Sequence, residues 1–168
     1  MRDLGAAARV AADAVGEAGQ RRFRLLALGA DGTMAVLWLE KDELQALAAA
    51  IEQLLLQLAR DPRLETLRPP PPPGPTAADF PTQPTVEFAV HRMALGYDEG
   101  KKAFFLLVHD GESDPEGPPT LVTAVGELQL RQLRHQAVAI CAGGRPRCTL
   151  CGEVLEDRHA CVRANGHR

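Results

Sequence analysis

The sequence predicts an α+β fold built from two βββα units, which form a mainly antiparallel sheet with two packed helices and end in a small cysteine-containing knuckle. Three observations support this prediction. Short apolar segments separated by turns occur in two groups of three. Each group precedes a long segment with the apolar spacing of an amphipathic helix, and three of the four cysteines lie within the fourteen residues 148–161. Because the two groups share their order but little sequence, we predict a structural pseudo-repeat.

The first unit begins with a weak strand and ends with the clearest helix of the chain. Asp31-Gly32 is the strongest hairpin signal, between the second and third strands. The third strand is apolar on both faces, so we expect it to be covered on both sides and Trp38 to fill the core. Leucines at three- and four-residue steps predict the helix, and Pro62 ends it. The predicted elements are strands at 8–14, 23–28 and 33–40 and a helix at 41–60.

A proline-rich linker, residues 61–84, separates the two units. It contains PPPPPGP at Pro69–Pro75, a composition typical of an exposed, semi-rigid polyproline spacer. Its length predicts that the disordered part of the chain lies here. A ligand for a proline-reading module is the alternative interpretation, and a linker is the one we favour.

The second unit repeats the order of the first. A turn at 96–100 joins its first two strands, and a polar loop at 110–119 precedes the third. The predicted elements are strands at 86–95, 101–109 and 120–125 and a helix at 127–142. Together the units and the linker form one α+β domain, residues 1–144, and residues 145–168 form a separate tail.

Charge and hydropathy limit the classes of protein. A net charge of -3 argues against a dedicated nucleic-acid binder, which is usually basic. Residues 128–168 contain seven arginines and three acidic residues, which would suit an anionic partner, but we favour an ordinary solvated surface. The chain shows no secretory signal pattern and no run of the ~18 apolar residues that a membrane span needs. We therefore expect a cytoplasmic protein without membrane attachment, whose close cysteines are metal ligands and not disulfides.

The tail carries the most chemically specific pattern. Cys148 and Cys151 form a C-x-x-C pair followed by glycine, and His159 and Cys161 form a second pair. Zinc is held tetrahedrally by thiolate and imidazole groups, and a Cys3His set leaves no position open for a substrate. The sequence therefore predicts a structural zinc knuckle, similar to a zinc ribbon, with these four ligands.

Two other residues could complete the zinc site. His167 could replace His159, and Cys141 could enter from the preceding helix, although a buried thiol is the usual outcome for a cysteine on an apolar helix face. A redox role for the C-x-x-C pair would need a thioredoxin-like βαβ context, which the predicted strand order lacks. We therefore favour metal binding over redox chemistry for this pair.

Five segments carry a family resemblance. They are VGEAGQRRF at 15–23, LEK at 39–41, MALGYD at 93–98, AGGRPRCTLCG at 142–152 and HACVRANG at 159–166. With these segments the chain resembles a family of conserved hypothetical proteins of high-GC bacteria, catalogued as a domain of unknown function with the number thirty-ninety. The resemblance implies a shared fold and a metal-binding tail but no activity, and it leaves the proline-rich linker unmatched. Family members usually have Pro at the position of Val162 and Tyr at that of His167, which favours His159 and Cys161 as ligands.

The sequence predicts a zinc-stabilised binding protein whose partner is another protein. No catalytic motif is present, so we favour a role other than an enzyme. The first alternative is an enzyme or a nucleotide-responsive regulator, with a pocket formed by polar residues at strand ends: Glu17, Arg21, Glu40, Lys41, Arg92 and Asp98. The second is a weak nucleic-acid contact through the arginines of the tail: Arg145, Arg147, Arg158 and Arg163. Neither the partner nor the oligomeric state follows from the sequence.

Overall fold

The computed structural model describes residues 1–17, 19–143, 150–151, 160–161 and 163. This part of the chain contains six strands, three α-helices and a short 3-10 turn at Ala77–Asp79. The strands are β1 (Arg2–Val15), β2 (Arg22–Gly29), β3 (Met34–Leu39), β4 (Val86–Asp98), β5 (Ala103–Asp110) and β6 (Leu121–Val125). The helices are α1 (Lys41–Leu58), α2 (Pro62–Thr66) and α3 (Glu127–Ala142). None of these helices combines the length and the apolar composition that a membrane-crossing segment needs.

The α+β class is confirmed, but the sheet closes into a barrel with the strand order β1-β2-β3-β4-β5-β6. Consecutive strands within each group of three pair antiparallel, as predicted. Two parallel pairs, β3 with β4 and β6 with β1, then join the groups and close the barrel. A closed barrel leaves no strand edge unpaired, which removes a common route to aggregation. The pseudo-repeat of the two units stays a prediction.

The closure depends on the length of β1 and β4, which have 14 and 13 residues. Each strand pairs with one neighbour along its first part and with another along the rest. In β1, residues 2–6 pair with β6 and residues 7–15 with β2. In β4, residues 86–89 pair with β3 and residues 90–98 with β5. The predicted strands at 8–14 and 86–95 were too short to show this double pairing.

One hydrophobic core joins the strands to α1 and α3. Leu37 of β3, Ile51 of α1 and Leu130 of α3 belong to it and are at most 2 % exposed. Burial of each such side chain contributes roughly 1.5–3 kcal/mol. The apolar stripe predicted for the first helix is confirmed, since its buried residues are Leu44, Leu47, Ala48, Ile51 and Leu55.

Strand β3 is covered on both faces, as the sequence predicts. Ala35, Leu37 and Leu39 belong to the main core. Met34 and Val36, on the opposite face, belong to a second cluster with Phe80 of the linker, which is 7 % exposed. The linker therefore supplies the second cover of this strand.

Trp38 is not a core residue, contrary to the prediction. It is half-buried on the outer face of β3, at the margin of the second cluster. The guanidinium of Arg22 lies 4.0 Å from its ring centroid, and its indole Nε1 donates a hydrogen bond to Glu87 Oε1 at 2.7 Å. Strand alternation explains this position, because it places Trp38 on the outer face with Met34 and Val36 and away from the main core, to which Ala35, Leu37 and Leu39 belong.

The linker follows a defined path where its composition predicts disorder. It begins with α2, whose N-cap Asp61 accepts a hydrogen bond from the Arg63 amide at 3.0 Å. Glutamines on α3 then anchor it to the domain. Gln136 accepts a hydrogen bond from the Ala12 amide of β1 at 3.0 Å and donates one to the Pro75 carbonyl at 2.7 Å. One side chain thus connects the barrel, the helix and the linker.

Candidate functional site

The structure describes two of the four predicted zinc ligands, Cys151 and Cys161. Cys148 and His159, and also His167, lie outside the described residues. Cys151 is half-buried and Cys161 is 8 % exposed. Among the described residues, no three or more His, Cys, Asp or Glu side chains form a cluster that could hold a metal. Since two of the four proposed ligands lie outside these residues, the zinc knuckle stays a prediction.

Cys141, the alternative ligand, lies on α3 among core residues. Its Sγ is 4.0 Å from the Lys41 carbonyl oxygen, to which it is oriented as a weak donor. Burial raises the pKa of the Cys141 thiol, so this residue stays protonated at neutral pH. A protonated, packed thiol is what we expect of a structural cysteine.

The polar residues proposed for a strand-end pocket have separate local roles. Arg21 Nη2 donates a hydrogen bond to the Ile140 carbonyl at 3.1 Å, near the C-terminal end of α3. The Glu40 amide donates to Glu43 Oε2 at 2.7 Å and so caps α1. Asp98 accepts from the Lys101 amide at 3.0 Å in the turn between β4 and β5. These contacts stabilise helix ends and a turn, as solvated turn residues commonly do.

Of the remaining residues of the proposed pocket, Lys41 is half-buried at the start of α1, with its carbonyl oxygen 4.0 Å from Cys141 Sγ. Glu17 is exposed, and Arg92 donates to the Pro115 carbonyl at 2.7 Å. Of the four tail arginines, Arg145, Arg147 and Arg158 lie outside the described residues. The fourth, Arg163, donates from Nη1 to the Leu150 carbonyl at 3.0 Å.

A groove of about 610 Å³ lies between α1, α3 and the proline-rich linker. We call it the helix groove. Its lining combines acidic, basic and apolar side chains with the start of the proline run. The residues that form it are Glu52, Leu55, Leu56, Glu65, Thr66, Arg68, Pro69, Pro70, Pro71, Pro72, Glu127, Leu128, Arg131, Arg134 and His135.

Arg131 is the centre of an ion-pair network in the helix groove. Its Nη1 donates to Glu65 Oε1, and its Nη2 donates to Glu127 Oε1 at 2.7 Å. Arg68 Nη1 lies 3.4 Å from the same Glu127 oxygen. The hydrogen bond from Arg131 holds the pKa of Glu65 below its ordinary value. The network joins α2 to α3 and fixes the side chains that line this end of the groove.

Arg134 adds a second charged position. Its Nη2 lies 3.2 Å from Glu52 Oε1 across the two helices. Its Nε is buried and has no hydrogen-bond partner among the described residues.

Exposed leucines occur in the helix groove and in and just after α2. Leu128, one of the lining residues, is 52 % exposed. Leu64 in α2 and Leu67 at its C-cap are 65 % and 78 % exposed. Leu128 is therefore an apolar side chain open to solvent within a groove whose charges are paired.

Replacing Glu65 with glutamine is expected to lower the free energy of unfolding by about 1–3 kcal/mol at pH 7, because a hydrogen bond to a charged acceptor is lost. Since the folded-state pKa of Glu65 is depressed, its contribution is present above the pKa of the unfolded state and is lost as the pH falls through the folded-state pKa. Urea unfolding of wild type and Glu65→Gln at a series of pH values from about 7 to 3 measures the difference in the free energy of unfolding.

The difference between wild type and Glu65→Gln should narrow towards the acidic end of this series. Glu99→Gln, at an exposed position, is the control, and its free energy of unfolding is expected to stay within about 0.5 kcal/mol of the wild-type value. A difference for Glu65→Gln that is equally large at both ends of the pH range would contradict the ion-pair assignment.

The helix groove was not predicted from the sequence. Glu127 and Arg131 are four residues apart on a helix, and that spacing is a readable signal for an ion pair. Glu65 is 66 residues away from Arg131, and no local pattern indicates their contact.

Comparison with known proteins gives a family without a known activity. A family model described as "Protein of unknown function (DUF3090)" matches residues 3–161. No curated protein and no solved structure matches the chain.

Proposed function

This chain belongs to the DUF3090 family of unknown function. We propose that it acts by binding another protein through the helix groove. The observation that supports this most is the exposure of Leu128, 52 %, inside an open groove of about 610 Å³. An apolar side chain in that position is hydrated in the free protein, and a partner that covers it gains the free energy of its burial.

The charges of the groove support recognition more than catalysis. Arg131 is paired with Glu65 and Glu127, and Arg134 is paired with Glu52. Paired charges orient a partner and reject mismatched ones, whereas a catalytic acid or base needs a proton that it can exchange with a substrate. The enzyme alternative relied on Glu17, Arg21 and Asp98, and none of these is among the residues that line the groove.

We include the zinc knuckle in this proposal as a structural element of the tail, with Cys148, Cys151, His159 and Cys161 as ligands. The ligand types, their spacing and the burial of Cys161 support it. Close cysteines of this kind persist as metal ligands in a reducing compartment, so we propose a cytoplasmic location. The equal strand order and pairing of the two groups also support the proposed pseudo-repeat.

Leu128→Glu is expected to abolish partner capture from an extract of the native host, because the partner would have to bury a carboxylate in place of an apolar side chain. The matched control is Val15→Glu, which changes an exposed apolar residue at the end of β1, 42 % exposed, outside the groove lining. Quantitative mass spectrometry of the captured proteins measures the effect, and thermal unfolding verifies that both variants fold.

A protein captured by wild type and by Val15→Glu, but reduced at least about tenfold with Leu128→Glu, supports the proposal. Equal capture by all three proteins would overturn it.

A further inference from the structure

The five consecutive prolines, Pro69–Pro73, run along α3 and are held there by a glutamine. Gln132 Nε2 donates to the Pro72 carbonyl at 3.1 Å and lies 3.4 Å from that of Pro73. Gly74 approaches α3 so closely that a Cβ added to it would lie 3.0 Å from Gln132 Cβ. The run is therefore attached along one side to a helix that is part of the core.

Exposure along the run repeats every third residue. Pro71 and Gly74 are half-buried. The other residues of this stretch are exposed, namely Pro69, Pro70, Pro72 and Pro73. A polyproline II helix has about three residues per turn, so one of its three edges faces α3 and the other two face solvent. One exposed edge consists of Pro69 and Pro72, and the other of Pro70 and Pro73.

The first part of the run also has unused hydrogen-bond acceptors. No described residue donates a hydrogen bond to the carbonyls of Pro69, Pro70 or Pro71. Exposed proline edges with open carbonyls are the features that domains with an aromatic-lined groove recognise in polyproline II ligands.

We infer that Pro69–Pro73 is a docking strand for a partner domain that reads polyproline II through an aromatic-lined groove. This inference rests on the proposed function, because Pro69 to Pro72 and Leu128 line the same groove. The anchoring to α3 lowers the entropic cost of binding, since the strand is already ordered in the free protein.

The probes for this inference are an isolated SH3 domain that binds PxxP peptides and an isolated WW domain. Each is titrated with the full-length protein, and binding is followed by isothermal titration calorimetry. Pro70→Ala/Pro73→Ala removes one exposed edge. Pro115→Ala/Pro118→Ala is the matched control, because it removes two exposed prolines with the same spacing in the loop before β6.

Saturable binding of wild type to either domain is expected, at least about tenfold weaker with Pro70→Ala/Pro73→Ala and unchanged in the control. Failure of both domains to bind, or equal affinity of Pro70→Ala/Pro73→Ala and wild type, would overturn the inference.

The same variants in the capture experiment separate this inference from the proposed function. A partner lost with Leu128→Glu but retained with Pro70→Ala/Pro73→Ala leaves the proposed function standing and overturns the docking strand. A partner lost with Pro70→Ala/Pro73→Ala but retained with Leu128→Glu supports the docking strand and counts against the groove as the binding surface.

Discussion

Replacing Phe80 with alanine is expected to lower the free energy of unfolding by about 3–5 kcal/mol, the cost typical of removing a buried aromatic side chain. Phe80 is 7 % exposed and forms the second cluster with residues of three strands, including Leu26, Met34 and Val36. The truncation leaves a cavity on the outer face of the barrel and uncovers apolar side chains there. Phe80 belongs to the proline-rich linker, so a segment with the composition of a spacer contributes to the stability of the barrel.

Urea unfolding with Trp38 fluorescence measures this loss, because Trp38 is the one tryptophan of the chain and contacts the same cluster. Leu67→Ala is the control. It removes a large apolar side chain from the same linker, but this side chain is 78 % exposed, so a change within about 0.5 kcal/mol is expected. If the two variants lose equal stability, the linker does not cover the barrel in solution.

Replacing Cys148 or Cys151 with serine is expected to remove the zinc and unfold the tail while the barrel stays folded. Residues 145–168 are too few to bury a hydrophobic core of their own. Metal binding, worth about 10–16 kcal/mol in small zinc modules, would supply the stability that packing cannot. The barrel and its two long helices have a separate core, so they do not need the metal.

Metal analysis of the purified protein should find one zinc per chain in wild type and none in the two variants. Limited proteolysis should then cleave the variants after residue 144 and leave the barrel intact. Cys141→Ser and His167→Ala are the controls and are expected to keep the metal, because neither belongs to the favoured ligand set. Zinc retained by Cys151→Ser, or loss of the barrel's unfolding transition together with the zinc, would contradict the prediction.

Elements defined by a local pattern were predicted well. The second long helix was predicted at residues 127–142, the bounds that α3 has. The two apolar faces of β3 correctly indicated a strand covered on both sides. Both features depend on residues within one element, and the spacing of apolar side chains determines them before any tertiary contact forms.

The closure of the barrel was not predicted. It joins Ala35 to Val86 and Ala6 to Ala124, pairs that no turn signal connects. The start of β1 was also hidden, because alanine favours helix and the first strand is rich in it. Parallel pairing between distant strands is decided by how the whole chain packs.

The candidate site divides in the same way. The spacing of Cys148, Cys151, His159 and Cys161 alone supports the zinc hypothesis, because metal ligation requires these side chains at short separations. The helix groove brings Glu65 to Arg131 across 66 residues, and only the packing of the linker on α3 creates it.

By itself, the sequence determined the class of fold, the two long helices, the faces of β3 and the tail's ligand pattern. The tertiary structure decided the barrel's closure, the burial of Phe80 and the helix groove. The physical reason is the range of the interactions: periodicity and ligand spacing act between residues close in the chain, whereas packing and ion pairing act between residues that only the folded chain brings together.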